Sequence, residues 1–237
     1  MSKLFLHLWS LIKKPKRSEL VPSHQIYTLW LLRILTLLTG IYQLFWGEFT
    51  IGFITLLTFA IITTPTIFTR NSIKKLPIEL ELIFFVMVFF QFVLGEANHF
   101  YINIPYYDKI IHTLLPLLIG YTTFILMYTM WYTDKLDTSL NVMFVITFLI
   151  AMGIGAVWEV LEYLNDVYLV PLIPNWHHFQ GSATENQFYD TMHDLIADMV
   201  GAVMGATLAY FYIARAKKSK GSRKLELIKE VAKEILV

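Results

Sequence analysis

The residues best suited to chemistry fall in three short stretches, each at the edge of an apolar run. Trp158-Glu159-Val160-Leu161-Glu162 closes one run, and Asp190, Asp194 and Asp198, with His193 among them, open the next. Glu159 and Glu162 are spaced i, i+3 and the aspartates i, i+4, i+8, so each set shares one helix face. A third run opens with Asp108-Lys109-Ile110-Ile111-His112, which puts Asp108 and His112 on one face. Carboxylates crowded at the rim of hydrocarbon must share protons or a cation. Asp108, His112, Glu159, Glu162, Asp194 and Asp198 form a candidate ligand set, mostly oxygen with one imidazole. Such a set suits Mg, Mn, Ca or Zn. Glu159 is the candidate catalytic base against water activated by that ion. Asp190, His193, His177 and His178 are auxiliary candidates. Plainer roles compete at single positions: Asp108 and Asp190 as helix N-caps, and Glu162 reaching headgroup water.

Something must hold these stretches together, and composition says what. The chain has 237 residues, is 56% hydrophobic and has a mean hydropathy of +0.56. A soluble domain of this length has too little interior for so much apolar surface, and a bilayer supplies the missing solvent. The expected fold is all-α, a polytopic helical bundle with six transmembrane helices at about 26–47, 49–69, 78–96, 109–132, 140–164 and 191–214, each near the ~20 residues a span needs. The domain plan is a basic, amphipathic tail over 1–25, the membrane domain over 26–214, and a basic tail over 215–237 whose Leu225, Ile228, Val231, Ala232 and Ile235 recur at helical spacing. Residues 165–189, containing Pro171 and Pro174, read as the one long loop, with Gly181 as a hinge. It is a candidate lid that would bring His177 and His178 to the acids. Gly201 and Gly205 form a G-x-x-x-G pair that allows close helix approach, and are assigned a structural role. Arg33, inside the first span, is expected to pair with Glu79 or Glu81.

Charge sets the orientation. Lys and Arg number five in 1–25, three in 70–77, one in 132–139 and eight from Arg215 onward, 17 of 19 in all. The intervening joints hold only Lys109, so both termini are expected to be cytoplasmic. Ten of 18 acids and five of seven histidines then fall on the opposite side or in the outer ends of helices. With one lysine among them, a bound cation or shared protons must balance the charge. There is no cysteine, which excludes disulfides, Cys-zinc sites and thiol nucleophiles. H-E-x-x-H, G-x-S-x-G and P-loop patterns are absent. No basic-aromatic patch suggests nucleic acid.

Tyr107-Asp108-Lys109-x-x-His112, Trp158-Glu159-x-x-Glu162, Gly181, Asp190-x-x-x-Asp194 and Gly201 together resemble the YjdF-like family of uncharacterised bacterial inner-membrane proteins. The resemblance covers about residues 26–214. More distantly the chain is similar to VanZ-like proteins, which carry an Asp-Lys-x-x-His helix and a later Asp before a glycine-spaced helix. It departs from them after Glu162, where Tyr163 replaces a polar residue and the following loop is longer. The resemblance implies a multi-pass protein of the bacterial cytoplasmic membrane working at the cell envelope, and brings no settled reaction.

Three functional readings remain open on these residues. The acidic site binds a cation, an ion or a lipid-type headgroup; or it is a metal-dependent hydrolase or transferase acting on a lipid or cell-envelope precursor; or shared protons lock the helices together in a structural or accessory protein. The implied partners are the lipid bilayer and a lipid or envelope-precursor ligand. Few polar residues continue through the cytoplasmic halves of the last three spans, chiefly Thr122, Thr123, Thr129, Asn141 and Thr147, which weighs against a through path.

Overall fold

A computed structural model of the chain describes residues 23–68, 78–132, 134–179 and 186–218. The expected amphipathic segments at both termini, the basic turn at 71–77, and Gly181 lie outside these. The described residues are helical and contain no strand. In chain order come α1 (Ser23–Trp46), α2 (Phe49–Phe68), α3 (Ile78–Val88), α4 (Tyr107–Tyr132), α5 (Leu140–Leu164) and α6 (Gln187–Lys218). Four of these are long and apolar enough to cross a membrane: α1, α4, α5 with its continuation, and α6. α2 is a helix of 20 residues, Phe49–Phe68, apolar through Phe49–Thr64.

Two helices do not end where an α-helical pattern stops. α3 passes into a π-helical stretch, Phe89–Ala97. π-helices misalign carbonyls with their usual donors and recur at functional sites. Here side chains repair the misalignment: the Tyr107 hydroxyl donates to Phe90 O at 2.8 Å, Asn98 Nδ2 to Val93 O at 2.6 Å and Gln43 Nε2 to Ala97 O at 3.1 Å. A single turn, Phe100–Asn103, then leads to α4, where no helix was expected, flanked by left-handed His99 and Tyr106 at φ 57° and 61°.

The second departure corrects the expected loop at 165–189. After Leu164 the helix continues through a π-helical turn, Asn165–Leu169, and a last turn, Val170–Leu172. Pro171 sits at the start of that turn, where its missing N–H costs least. α6 begins at Gln187 rather than 191. The connection is therefore shorter than the sequence suggests, and its near half is tied down. Asn165 Nδ2 donates to His177 O, the Trp176 indole N–H donates to Asn165 Oδ1, and Phe179 N donates to Asp166 Oδ1, all at 2.7–2.9 Å.

α4, α5 and α6 make one packed unit, with α4 and α6 the most intimate pair. The reason is local. A Cβ on Gly201 would collide with Thr113 O, and one on Gly205 with Leu117 O. Without hydrophobic drive between helices in lipid, such backbone approach is what association rests on. Phe124, Tyr128, Met143, Ala209 and Ile213 fill the other end of this unit. α1, α2 and α3 pack as a second group around Leu29, Leu32 and Phe85. There Arg33 pairs with Glu81 and lies 4.9 Å over the Trp30 ring.

Candidate metal centre

The α4–α6 contact decides which acids meet. With Gly201 and Gly205 holding the helices together, the stripe Asp190, Asp194, Asp198 on α6 runs along the face of α4 that bears Lys109 and His112. Asp190 and Asp198 are separated by eight residues, or about 12 Å of rise. The stripe therefore reaches from the rim well into the bundle. Asp194 and Asp198 are 2% and 1% exposed, so neither has water to solvate it. α5 brings Glu159 and Glu162, both buried, to the same place.

These groups sort into two halves. At the rim, Lys109 Nζ donates to Asp108 Oδ2 at 3.0 Å and to Asp190 Oδ1 at 2.7 Å, and lies 2.7 Å from Asp194 Oδ1 without hydrogen-bond alignment. The single lysine among the outer acids thus serves three of them. The signal was hard to read, because Lys109 beside Asp108 looks like a local pair, while its other partners lie 81 and 85 positions away.

Deeper, there is no lysine. His112 Nδ1 is 3.1 Å from Asp198 Oδ1 and 3.6 Å from Glu159 Oε1, while its Nε2 is 3.6 Å from Asp108 Oδ1. Both ring nitrogens thus face carboxylates. A neutral imidazole has one N–H, so the other nitrogen meets an acceptor with nothing between them. Glu159 Oε1 and Asp198 Oδ2 are buried and accept no hydrogen bond. Gly155 makes the room for Asp198, since a Cβ there would overlap the carboxylate.

Two triads have ligand atoms within 4.8 Å of one another: Asp108, His112, Asp194; and His112, Glu159, Glu162. His112 belongs to both. Lys109 offsets part of the charge of the first, whereas the second has three acids around it, counting Asp198, and no lysine. An oxygen-rich pocket with one imidazole fits a divalent ion such as Mg, Mn, Ca or Zn.

The other candidates stand apart. His193 is exposed on α6. His177 and His178 do not reach His112. His177 bridges Glu48 Oε2 at 2.8 Å and Glu96 Oε2 at 3.0 Å, and His178 Nδ1 lies 3.2 Å from Asp166 Oδ2. Burial lowers the affinity of His177 for a proton, but its contacts with Glu96 and Glu48 outweigh this and raise its pKa above the ordinary value. Sequence reasoning counted Glu48, Glu96 and Asp166 as outer acids but assigned them no site role. The two networks approach each other at Tyr101, which donates to Gln91 Oε1 at 2.6 Å. Its phenol is held well above the usual range by burial, then by Glu96, Asp108 and Glu162.

Comparison with known proteins agrees on the setting and names no activity. An uncharacterised protein from Thermotoga maritima is 26% identical over 148 residues, 62% of this chain and 70% of that one. No solved structure matches the chain. Residues 20–215 match the family described as predicted membrane protein (DUF2238), and the chain belongs to that family.

Proposed function

We propose that α4, α5 and α6 build a divalent-cation site from His112, Glu159, Glu162 and Asp198, with Asp108, Asp190 and Asp194 held by Lys109 as its rim. One observation carries this reading: Glu159 Oε1 and Asp198 Oδ2 are buried on the lysine-free side and accept no hydrogen bond. A buried carboxylate oxygen left without a donor costs about 1–3 kcal/mol or more, and a cation between the two would remove that cost. The site belongs to a membrane domain over 26–214 that spans six times, α2 and α3 with its π-helical stretch supplying the further two spans. α3 contributes 11 residues and the π-helical stretch 9, which together approach the ~20 of a span. The lysine and arginine distribution supports cytoplasmic termini and an extracytoplasmic site in a bacterial cytoplasmic membrane. The resemblance to YjdF-like and VanZ-like proteins supports work at the cell envelope.

A second reading follows from the same unpartnered oxygen. In it His112, Glu162 and Asp198 would hold the cation, which would supply Lewis acidity, and Glu159, not ligating, would take a proton from water in a hydrolytic or transfer reaction on a lipid or envelope precursor. Metal analysis of purified protein tests both readings. Wild type is expected to bind about one divalent ion, and Asp198→Asn to weaken that binding by at least about tenfold. If Glu159→Gln keeps the ion but abolishes turnover of a lipid-linked substrate, the second reading holds; an ion-free wild type ends both.

A further inference from the structure

A cavity of about 330 Å³ lies beside the polar cluster, walled by α2, α3, α4 and α5. Met87, Leu115, Ile119 and Ile154 are among its apolar walls, and the ionisable side chains among its described lining residues are His112 and Asp198, the latter from α6. The volume is within the roughly 300–1,000 Å³ of small-molecule sites. Well-packed proteins leave few voids larger than a water molecule, and apolar walls do not hold water. Phe84, Ile154, Val157 and Leu161 also line it and are 42–59% exposed, so the cavity opens sideways through the flank of the bundle. In a membrane protein that flank faces hydrocarbon.

We infer that this cavity seats one hydrocarbon chain of a bilayer phospholipid, entering laterally, with its head directed to His112 and Asp198. Three features on the page select this occupant. The walls are apolar along the membrane-facing opening. Among the described lining residues, ionisable side chains are confined to these two. One of these, Asp198, is buried, lines the cavity and carries an oxygen with no donor. A phospholipid matches that distribution, with a chain for the walls and an amine donor or a cation-bridged phosphate for the acid. The inference rests on the cation reading only for the phosphate contact; the chain's place depends on the cavity alone.

The probe is a phosphatidylethanolamine bearing a diazirine in its acyl chain, mixed into phosphatidylethanolamine/phosphatidylglycerol vesicles with the full chain. Native mass spectrometry of the detergent-purified protein accompanies it. Wild type is expected to retain one phospholipid and to take label within 84–92 and 111–119. Leu115→Trp and Ile119→Trp fill the cavity and should lower both signals about tenfold, with cation content and helicity unchanged. Ile154→Trp, on the open side, serves if the inner variants do not fold. Retained lipid in protein that binds no cation supports this inference and removes the cation reading alone. Label spread equally over lipid-facing Val145 and Leu149, label unchanged in the filled variants, or a second copy of the chain bound in place of lipid would overturn it.

Discussion

Lys109 and His112 sit one turn apart on α4 yet do different work. Lys109 has a side chain 25% exposed and holds Asp108, Asp190 and Asp194. His112, 7% exposed, stands among Asp198, Glu159 and Asp108 with no lysine on its inner side. Lys109→Met leaves two buried aspartates without their cation, and should cost about 3–5 kcal/mol of stability, the range for breaking a buried pair from one side. Asp194→Asn added to it should restore part of that loss. Cation stoichiometry at His112 should survive both changes. Unfolding in detergent and metal analysis measure the two quantities separately, and loss of the cation in Lys109→Met alone would show that the inner site depends on the rim. Spacing made the face-sharing of Asp190, Asp194 and Asp198 legible, as it did for Glu159 and Glu162. It could not show which faces meet, because that depends on the rotation of α4 against α6 set by Gly201 and Gly205. The division of the acids by Lys109 is therefore visible only in three dimensions.

At the scale of elements, polar side chains decide where helices end. The apolar runs predicted helices over 78–96 and 140–164; the first spans α3 and nearly all of its π-helical stretch, the second stops short of Asn165–Leu169, and no 3.6-residue pattern encodes the π geometry of either. Tyr107, Asn98 and Gln43 satisfy carbonyls at the end of the first, and Asn165 and Asp166 organise the second. His177 joins the two: its backbone carbonyl accepts from Asn165, and its ring spans Glu48 and Glu96. Each ring nitrogen faces a carboxylate, so the bridge needs both N–H groups and the positive charge. Because those acids raise the folded-state pKa of His177 against the effect of burial, the bridge is fully present below the unfolded value of about 6.5 and is lost as pH rises through the raised one. Limited proteolysis of the connection around 173–186 should accelerate as pH rises above 6.5. His177→Gln should be cleaved fast at every pH, since one amide cannot replace an imidazolium between two acids. Equal cleavage of wild type across that range would show that the bridge does not hold the connection.

For the whole molecule, antiparallel helices put the α1–α2 joint, the end of α3, the starts of α4 and α6, and the end of α5 at one end. The contacts there agree: Gln43 reaches Ala97, Glu48 reaches His177, Lys109 reaches Asp190, and His112 reaches Glu159. This much was legible from composition, since apolar runs separated by short joints can fold only by alternating direction. The expected sidedness rests on 17 lysines and arginines at the other joints and the tails. What composition could not reveal is that the membrane part is two packed groups, α1–α3 and α4–α6, with the cavity between them. The absence of native cysteine makes the orientation directly measurable, because any introduced thiol is the only one in the chain. Ile102, 80% exposed beyond the end of α3, and exposed Asp137, between α4 and α5, mark opposite ends. With cytoplasmic termini, Ile102→Cys should react with a membrane-impermeant maleimide in intact cells, and Asp137→Cys only after permeabilisation. The reverse pattern would turn the acidic site toward the cytoplasm and remove the envelope as its place of action. The cation site proposed at His112, Glu159, Glu162 and Asp198 would stand, because it depends on helix contacts and not on which compartment they face.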